Sequence, residues 1–153
     1  MRWVRNAKTM NDTKIIKSFG ILYRTFLSYM SKSIKNLEIA YSDSVFLVNI
    51  GDEYGISQEE MSANLSIDKA AIARSVKRMV QKGYVAYKSS QADKRIKRLY
   101  LTEQGEKIYE EILKLNAKWL DSVMEDISVD KRDDFQEIIT SLCKKAANFG
   151  REQ

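Results

Sequence analysis

The side chains with the greatest chemical reach in this chain are cations, and they are concentrated. Residues 68–102 carry ten Lys or Arg against two Asp, whereas residues 52–67 carry four acidic groups and no basic one, and residues 103–153 carry eight basic against twelve acidic. A local field of that sign attracts a polyanion, and acidic flanks blunt non-specific adhesion of the rest of the surface. The bland counterpart is a solvated basic face. Reaction chemistry is poorly provided for. There are no histidines and one cysteine, Cys143, so hydrolytic triads and zinc sites lose their commonest ligands and bases. No glycine-rich phosphate loop or paired-carboxylate motif compensates. An enzyme is therefore disfavoured, and no cofactor or metal is expected.

The elements that must position these cations can be read from periodicity. A length of 153 residues, 44% hydrophobic and 31% charged with mean hydropathy −0.43, fits one compact soluble domain. The longest dense apolar stretch, Val45-Phe46-Leu47-Val48, is far short of a membrane span, and no signal-peptide core follows Met1. A cytoplasmic protein with no membrane partner is expected. Ile15, Phe19, Leu22, Phe26, Met30 and Ile34 recur at helical spacing and predict a long amphipathic helix over 11–37. A second, largely buried helix is expected over 42–54, capped by Ser42 or Asp43.

Ser57-Gln58-Glu59-Glu60 has the form of a capping box, with Ile56 and Met61 placed as a hydrophobic staple. It starts a short helix over 58–64. Ser66-Ile67 makes a tight connection to the next helix, over about 68–82, with Ile72, Val76, Met79 and Val80 inward and Gly83 at the C-terminal cap. The opposite face carries Lys69, Ala70, Ala71, Ala73, Arg74, Lys77 and Gln81. The period then changes to two in Tyr84–Lys88 and Lys97–Leu101, a hairpin whose tip holds Asp93, Lys94 and Arg95. Thr102 caps a long helix marked by Ile108, Ile112, Leu115, Trp119, Val123 and Ile127. A last helix follows Ser128, with Phe135, Ile138, Leu142, Ala146 and Phe149 on one stripe.

A short capped helix, a tight turn, a second helix with small and basic residues outward, then a basic hairpin, is a winged helix-turn-helix. The fold class is mainly α with a small β-hairpin wing. Ala70 and Ala71 would let the helix start approach base edges, while Lys69, Arg74 and Lys77 reach phosphates or guanine acceptors. Arg95 suits a narrow minor groove, with Lys94 beside it and Asp93 able to hold its guanidinium. Arg78 and Lys82 lie toward the sides of the helix, where a salt bridge or one phosphate contact fits better than base readout.

At Asp93-Lys94-Arg95, followed by five residues and Leu101-Thr102, the chain resembles the MarR family of transcriptional regulators. The resemblance continues through Glu103-Gln104-Gly105 and backward through Ile67-Asp68-Lys69, Arg74 and Lys82-Gly83, covering about residues 11–149 in element order. It implies a homodimer held by helices over 11–37 and 103–149, with a DNA-binding lobe over 42–102, its helix-turn-helix over 57–82 and its wing over 84–101. It places Asp68, Lys69, Ala70, Ala71 and Arg74 on recognition-helix positions and Arg95 on the minor-groove arginine of the wing. Double-stranded DNA is the implied partner and repression the implied role, with a small aromatic effector as a possible ligand. Ala70-Ala71 replaces a frequent Ser-Thr pair, and Ser75 replaces an aliphatic residue, which suggests a thinner core beneath that helix.

Tyr23, Phe26, Phe46 and Trp119 are candidates for an effector pocket, although aromatics at this spacing are more often core. Cys143, beside Leu142, is expected to be buried and inert rather than a redox sensor. Arg2, Trp3, Arg5 and Lys8 form a basic N-terminal arm, disordered by default. The other class to weigh is a winged-helix protein-interaction module whose basic face takes an acidic partner.

Overall fold

The computed structural model describes residues 11–89 and 95–149. Helix α1 spans Asp12–Ser33, its first turn capped by Asn11, whose side chain accepts the Lys14 amide at 3.0 Å. The expected helix to residue 37 tightens into a 3-10 turn over Ile34–Leu37, stopped by Glu38 in the left-handed region at φ 53°. Helix α2 spans Tyr41–Asp52 and begins one residue before the expected caps. Ala40 is its N-cap, without a side-chain hydrogen bond, and Asp43 is drawn into the interior instead.

The short helix α3, Gln58–Leu65, carries both arms of the predicted capping box: the Ser57 hydroxyl accepts the Glu60 amide, and the Glu60 carboxylate accepts the Ser57 amide at 2.8 Å. Ser66 turns the chain at φ 53° into α4, Lys69–Gln81, whose N-cap Asp68 accepts the Ala71 amide at 3.1 Å. Gly83 supplies the left-handed residue after α4 at φ 76°. Strands β1, Val85–Ser89, and β2, Lys97–Leu101, pair antiparallel with Val85 opposite Leu101 and Ser89 opposite Lys97.

Thr102 then caps α5, Glu103–Val123, accepting the Gly105 amide at 3.1 Å. The helix stops short of Ile127. Beyond it, Arg132 donates to the carbonyls of Met124 and Ile127 at 2.6 and 2.9 Å, satisfying acceptors left by the turn into α6, Val129–Phe149.

The core lies under the helix-turn-helix and wing. Leu47, Met61, Ile72, Val76, Met79 and Leu99 are fully buried, and α1, the 3-10 turn and α5 reach this cluster through Met30, Ile34, and Ile108 with Ile112. Burial of each such side chain stabilises by roughly 1.5–3 kcal/mol before entropy is counted. The distal parts are different. No residue of α6 is buried, and Phe135, Ile138, Leu142 and Phe149 are all exposed. Cys143 is exposed too, contrary to expectation: it borders Glu53, Ala63 and Asn64, but the described residues do not cover it. Among the described residues no helix is long and apolar enough to cross a membrane.

Candidate nucleic-acid interface

Helix α4 divides cleanly into two faces. Ile72, Val76 and Met79 are wholly buried, which leaves Lys69, Ala70, Ala73, Arg74, Lys77 and Gln81 exposed along the opposite side. Ala71 is half-buried, and Asp68 serves as the cap. Lys69 Nζ meets Glu59 at 3.0 Å, but both side chains are more than two-thirds exposed. Such a pair is worth less than about 1 kcal/mol and yields readily to a phosphate. Arg74 and Lys77 make no ion pair among the described residues. The arrangement is a helix start with small side chains, flanked by exposed cations, projecting from a packed scaffold.

The wing is fastened to α3 rather than left to pivot. Leu99 donates its amide to the Ile56 carbonyl at 2.9 Å, adding a rung beside the hairpin. Arg98 Nη1 donates to the Gly55 carbonyl at 3.1 Å and to Glu60 Oε2 at 2.5 Å. Glu60 thus accepts from the Ser57 amide and from Arg98, and these bonds hold its carboxyl below the ordinary glutamate range. Gln58 Nε2 donates to the Tyr87 hydroxyl at 2.8 Å, while Lys97 Nζ lies 5.5 Å from the Tyr87 ring centroid. Arg95 is exposed at the near end of the hairpin tip and borders the groove between wing and α3 with Ser57, Glu60 and Lys97. Asp93 and Lys94 lie outside the described residues.

Two polar groups in the lobe escaped the sequence reading. Arg98 sits in a strand whose alternation shows only that it faces away from Leu99. In sequence Asp43 is a candidate helix cap, yet it is 3% exposed and accepts from Ser75 Oγ at 2.6 Å and from Arg78 Nε at 3.0 Å. The expectation of a thinner core at Ser75 is corrected by this: the hydroxyl is buried and bonded, so the space is filled by a polar link. The side-lying salt bridge foreseen for Arg78 is present. Lys82 Nζ donates to the Glu38 carbonyl, likewise away from the exposed face.

Behind the lobe, a cavity of about 250 Å³ opens between α1, α2 and α5, lined in part by Phe26, Met30, Tyr41, Val48, Ile112 and Asn116. Of the four aromatic candidates, Phe26 lines it and stacks edge-on against Trp119 at 5.0 Å, Phe46 belongs to the core, and Tyr23 is exposed on α1. Asn116 Oδ1 is buried without a hydrogen-bond partner, and burial pushes the Tyr41 hydroxyl above its ordinary pKa.

Comparison with known proteins agrees with this geometry. Residues 41–96, from α2 to the wing, match the model of the MarR family. The HTH-type transcriptional regulator YybA of Bacillus subtilis (strain 168) is 30% identical over 100 residues, which span 65% of this chain and 65% of that protein, just under two thirds of its length. A MarR transcriptional regulator from Methanosarcina mazei Go1 superposes with TM-score 0.79 at 28% identity over 90% of this chain and 99% of that one. The fold also matches, with TM-score 0.81 at 22% identity over 87% and 89% of the two chains, a MarR-family regulator from Listeria monocytogenes solved with a 26mer DNA. These relatives are regulators rather than enzymes. With its capped helix-turn-helix, anchored wing and flanking long helices, the chain has the winged-helix fold of these regulators, and its residues 41–96 match the MarR family.

Proposed function

We propose that two copies of this chain bind a pseudo-palindromic duplex and repress transcription until a small effector releases them. The observation that carries the reading is the exposed face of α4, where Ala70, Ala73, Arg74 and Lys77 project from a fully buried opposite side. Inserted into a major groove, that face would bring Ala70 and Ala71 to base edges and Lys69, Arg74 and Lys77 to phosphates or guanines. Asp68 would set the helix start against the backbone. Arg95, flanked by Asp93 and Lys94, would enter the adjoining minor groove. The solved relative's complex with DNA supports the class of partner.

The homodimer reading rests on exposed apolar residues. A 21-residue helix that buries none of its own side chains, as α6 does, lacks the packing that sustains helices in water. Phe19 and Leu22 of α1, and Leu120 and Val123 of α5, are further exposed apolar residues on the long helices. Helices over 11–37 and 103–149 are therefore assigned to dimerisation, and residues 42–102 to the DNA-binding lobe. Two lobes so linked would read adjacent major grooves roughly 34 Å apart.

The cavity behind the lobe suits the effector. None of its lining residues is charged, aromatic and aliphatic groups dominate, and the side-chain oxygen of Asn116 has no hydrogen-bond partner. A neutral aromatic ligand with a hydrogen-bonding group fits that description. The reading is tested by a salt series of binding to the DNA upstream of the chain's own gene and to a random duplex, with wild type and Arg95→Ala. A preference for the upstream duplex that the variant loses by about 1–3 kcal/mol is expected. Weak, salt-insensitive binding to both would instead indicate an acidic protein partner.

A further inference from the structure

The buried link between α2 and α4 is not used by any contact to DNA described above, yet its carboxylate accepts three hydrogen bonds. Asp43 sits in the first turn of α2 with its side chain 5% exposed, facing an Arg78 side chain that is 47% exposed. Asp43 Oδ1 accepts from Ser75 Oγ at 2.6 Å and Arg78 Nη2 at 2.5 Å, while Oδ2 accepts Arg78 Nε at 3.0 Å. Arg78 Nη2 also donates to Ser75 Oγ at 2.8 Å. The triangle is closed: the hydroxyl gives its one proton to the carboxylate and takes one from the guanidinium.

Stability alone does not account for it. A buried ion pair is commonly matched or exceeded by apolar side chains of similar volume, because desolvation offsets the attraction. What apolar contact cannot supply is direction. Ser75 and Arg78 are three residues apart on α4, so two bonded points one turn apart fix both the roll of the recognition helix and its advance along its axis. Arg78 also lies one turn beyond Arg74 on adjoining sides of α4. Released from Asp43, its half-exposed guanidinium would extend beside Arg74 as a further cation available to the DNA backbone.

We infer that Asp43 is a specificity-determining positioning residue, which through Ser75 and Arg78 orients α4 toward base edges and withholds one arginine per subunit from non-specific phosphate contact. The inference rests on the DNA-binding reading above and adds a residue that never touches DNA. It also predicts opposite effects on two kinds of duplex, which a purely structural role does not.

The test uses the full chain, a duplex selected from a random library by the wild type, and a scrambled duplex of equal length, with affinities read by fluorescence anisotropy across a salt series. Asp43→Asn keeps the shape and removes the charge. The ratio of selected to scrambled affinity should fall about tenfold, while scrambled-duplex affinity rises and the log–log salt slope steepens by about 0.9 for each arginine freed. Adding Arg78→Gln should restore the wild-type slope and leave the ratio low. Should Asp43→Asn fail to fold, Ser75→Ala, which removes one bonded point and keeps the ion pair, should lower the ratio with an unchanged slope. Parallel loss of both affinities at constant slope, or an unchanged ratio in the folded variants, would overturn the role of Asp43. A wild type from which no preferred duplex can be selected would overturn the DNA-binding reading itself, and the inference with it.

Discussion

Gly105 is the point where α5 leaves the wing, and replacing it with alanine sets two effects of opposite sign against each other. Alanine is favoured over glycine within a helix by about 0.8–1.0 kcal/mol, and Gly105 lies in the first turn of α5. A methyl there, however, would lie 2.0 Å from the Tyr84 carbonyl oxygen, 3.0 Å from its carbon and 3.4 Å from Leu101 Cβ. The obstacle is backbone, so it cannot swing aside. Relief requires α5 to move off the hairpin by more than an ångström, and the same Tyr84 oxygen accepts the Thr102 amide at 3.0 Å while Thr102 Oγ1 donates to the Gly83 carbonyl at 2.5 Å. Overpacking of this kind costs about 1–3 kcal/mol, and each weakened hydrogen bond adds about 0.5–1.5 kcal/mol. After the propensity gain is subtracted, Gly105→Ala should destabilise by about 1–5 kcal/mol, or a fall in Tm of about 2–20 °C for a chain of this size. Thermal unfolding followed by circular dichroism measures it. A variant as stable as wild type, or more so, would show that helix propensity wins and that the close approach of α5 to the hairpin is misjudged.

Other expectations follow from the same contacts. Lys77→Ala should weaken selected and random duplexes alike and reduce the salt slope by about one per subunit; an unchanged slope would place that lysine away from phosphate. Glu60 has a lowered pKa in the folded chain, so its contribution to stability is complete above the unfolded value and is lost as pH falls through the folded one. Because its side chain is half exposed, the contribution is less than about 1 kcal/mol after screening. In acid-unfolding curves the gap between wild type and Glu60→Gln should therefore be small at neutral pH and close in acid; a gap that widens in acid would contradict the bonding pattern. Ile138→Lys, placed amid the exposed apolar stripe of α6, should shift the sedimentation profile toward monomer and weaken operator binding together. A variant that sediments like the wild type would remove α6 from the interface.

Most of the lobe was legible because its signals are local. The capping box of Ser57 and Glu60, the cap of Thr102 and the left-handed Gly83 each depend on residues within a few positions, where spacing dictates geometry. The polar core was not legible. Asp43 finds Ser75 and Arg78 at separations of 32 and 35 residues, and nothing in the local pattern distinguishes it from a helix cap. Asp43 is accordingly buried rather than a cap, Ala40 stands as the N-cap of α2, and the apparent packing defect at Ser75 is a bonded site. Cys143 was misjudged for a related reason. An apolar stripe implies burial, but the sequence does not say what covers it, and the described residues of the chain bury no residue of α6.

The central claim is that paired copies of α4 and the wing read a duplex with two-fold symmetry. Hydroxyl-radical footprinting of the wild-type chain on a selected duplex, at a measured stoichiometry, tests it most directly. The account predicts two chains per duplex and two symmetric protected patches centred about 10–10.5 base pairs apart, with the minor-groove protection lost in Arg95→Ala. One chain per duplex with a single protected patch, or uniform protection without symmetry, would contradict it.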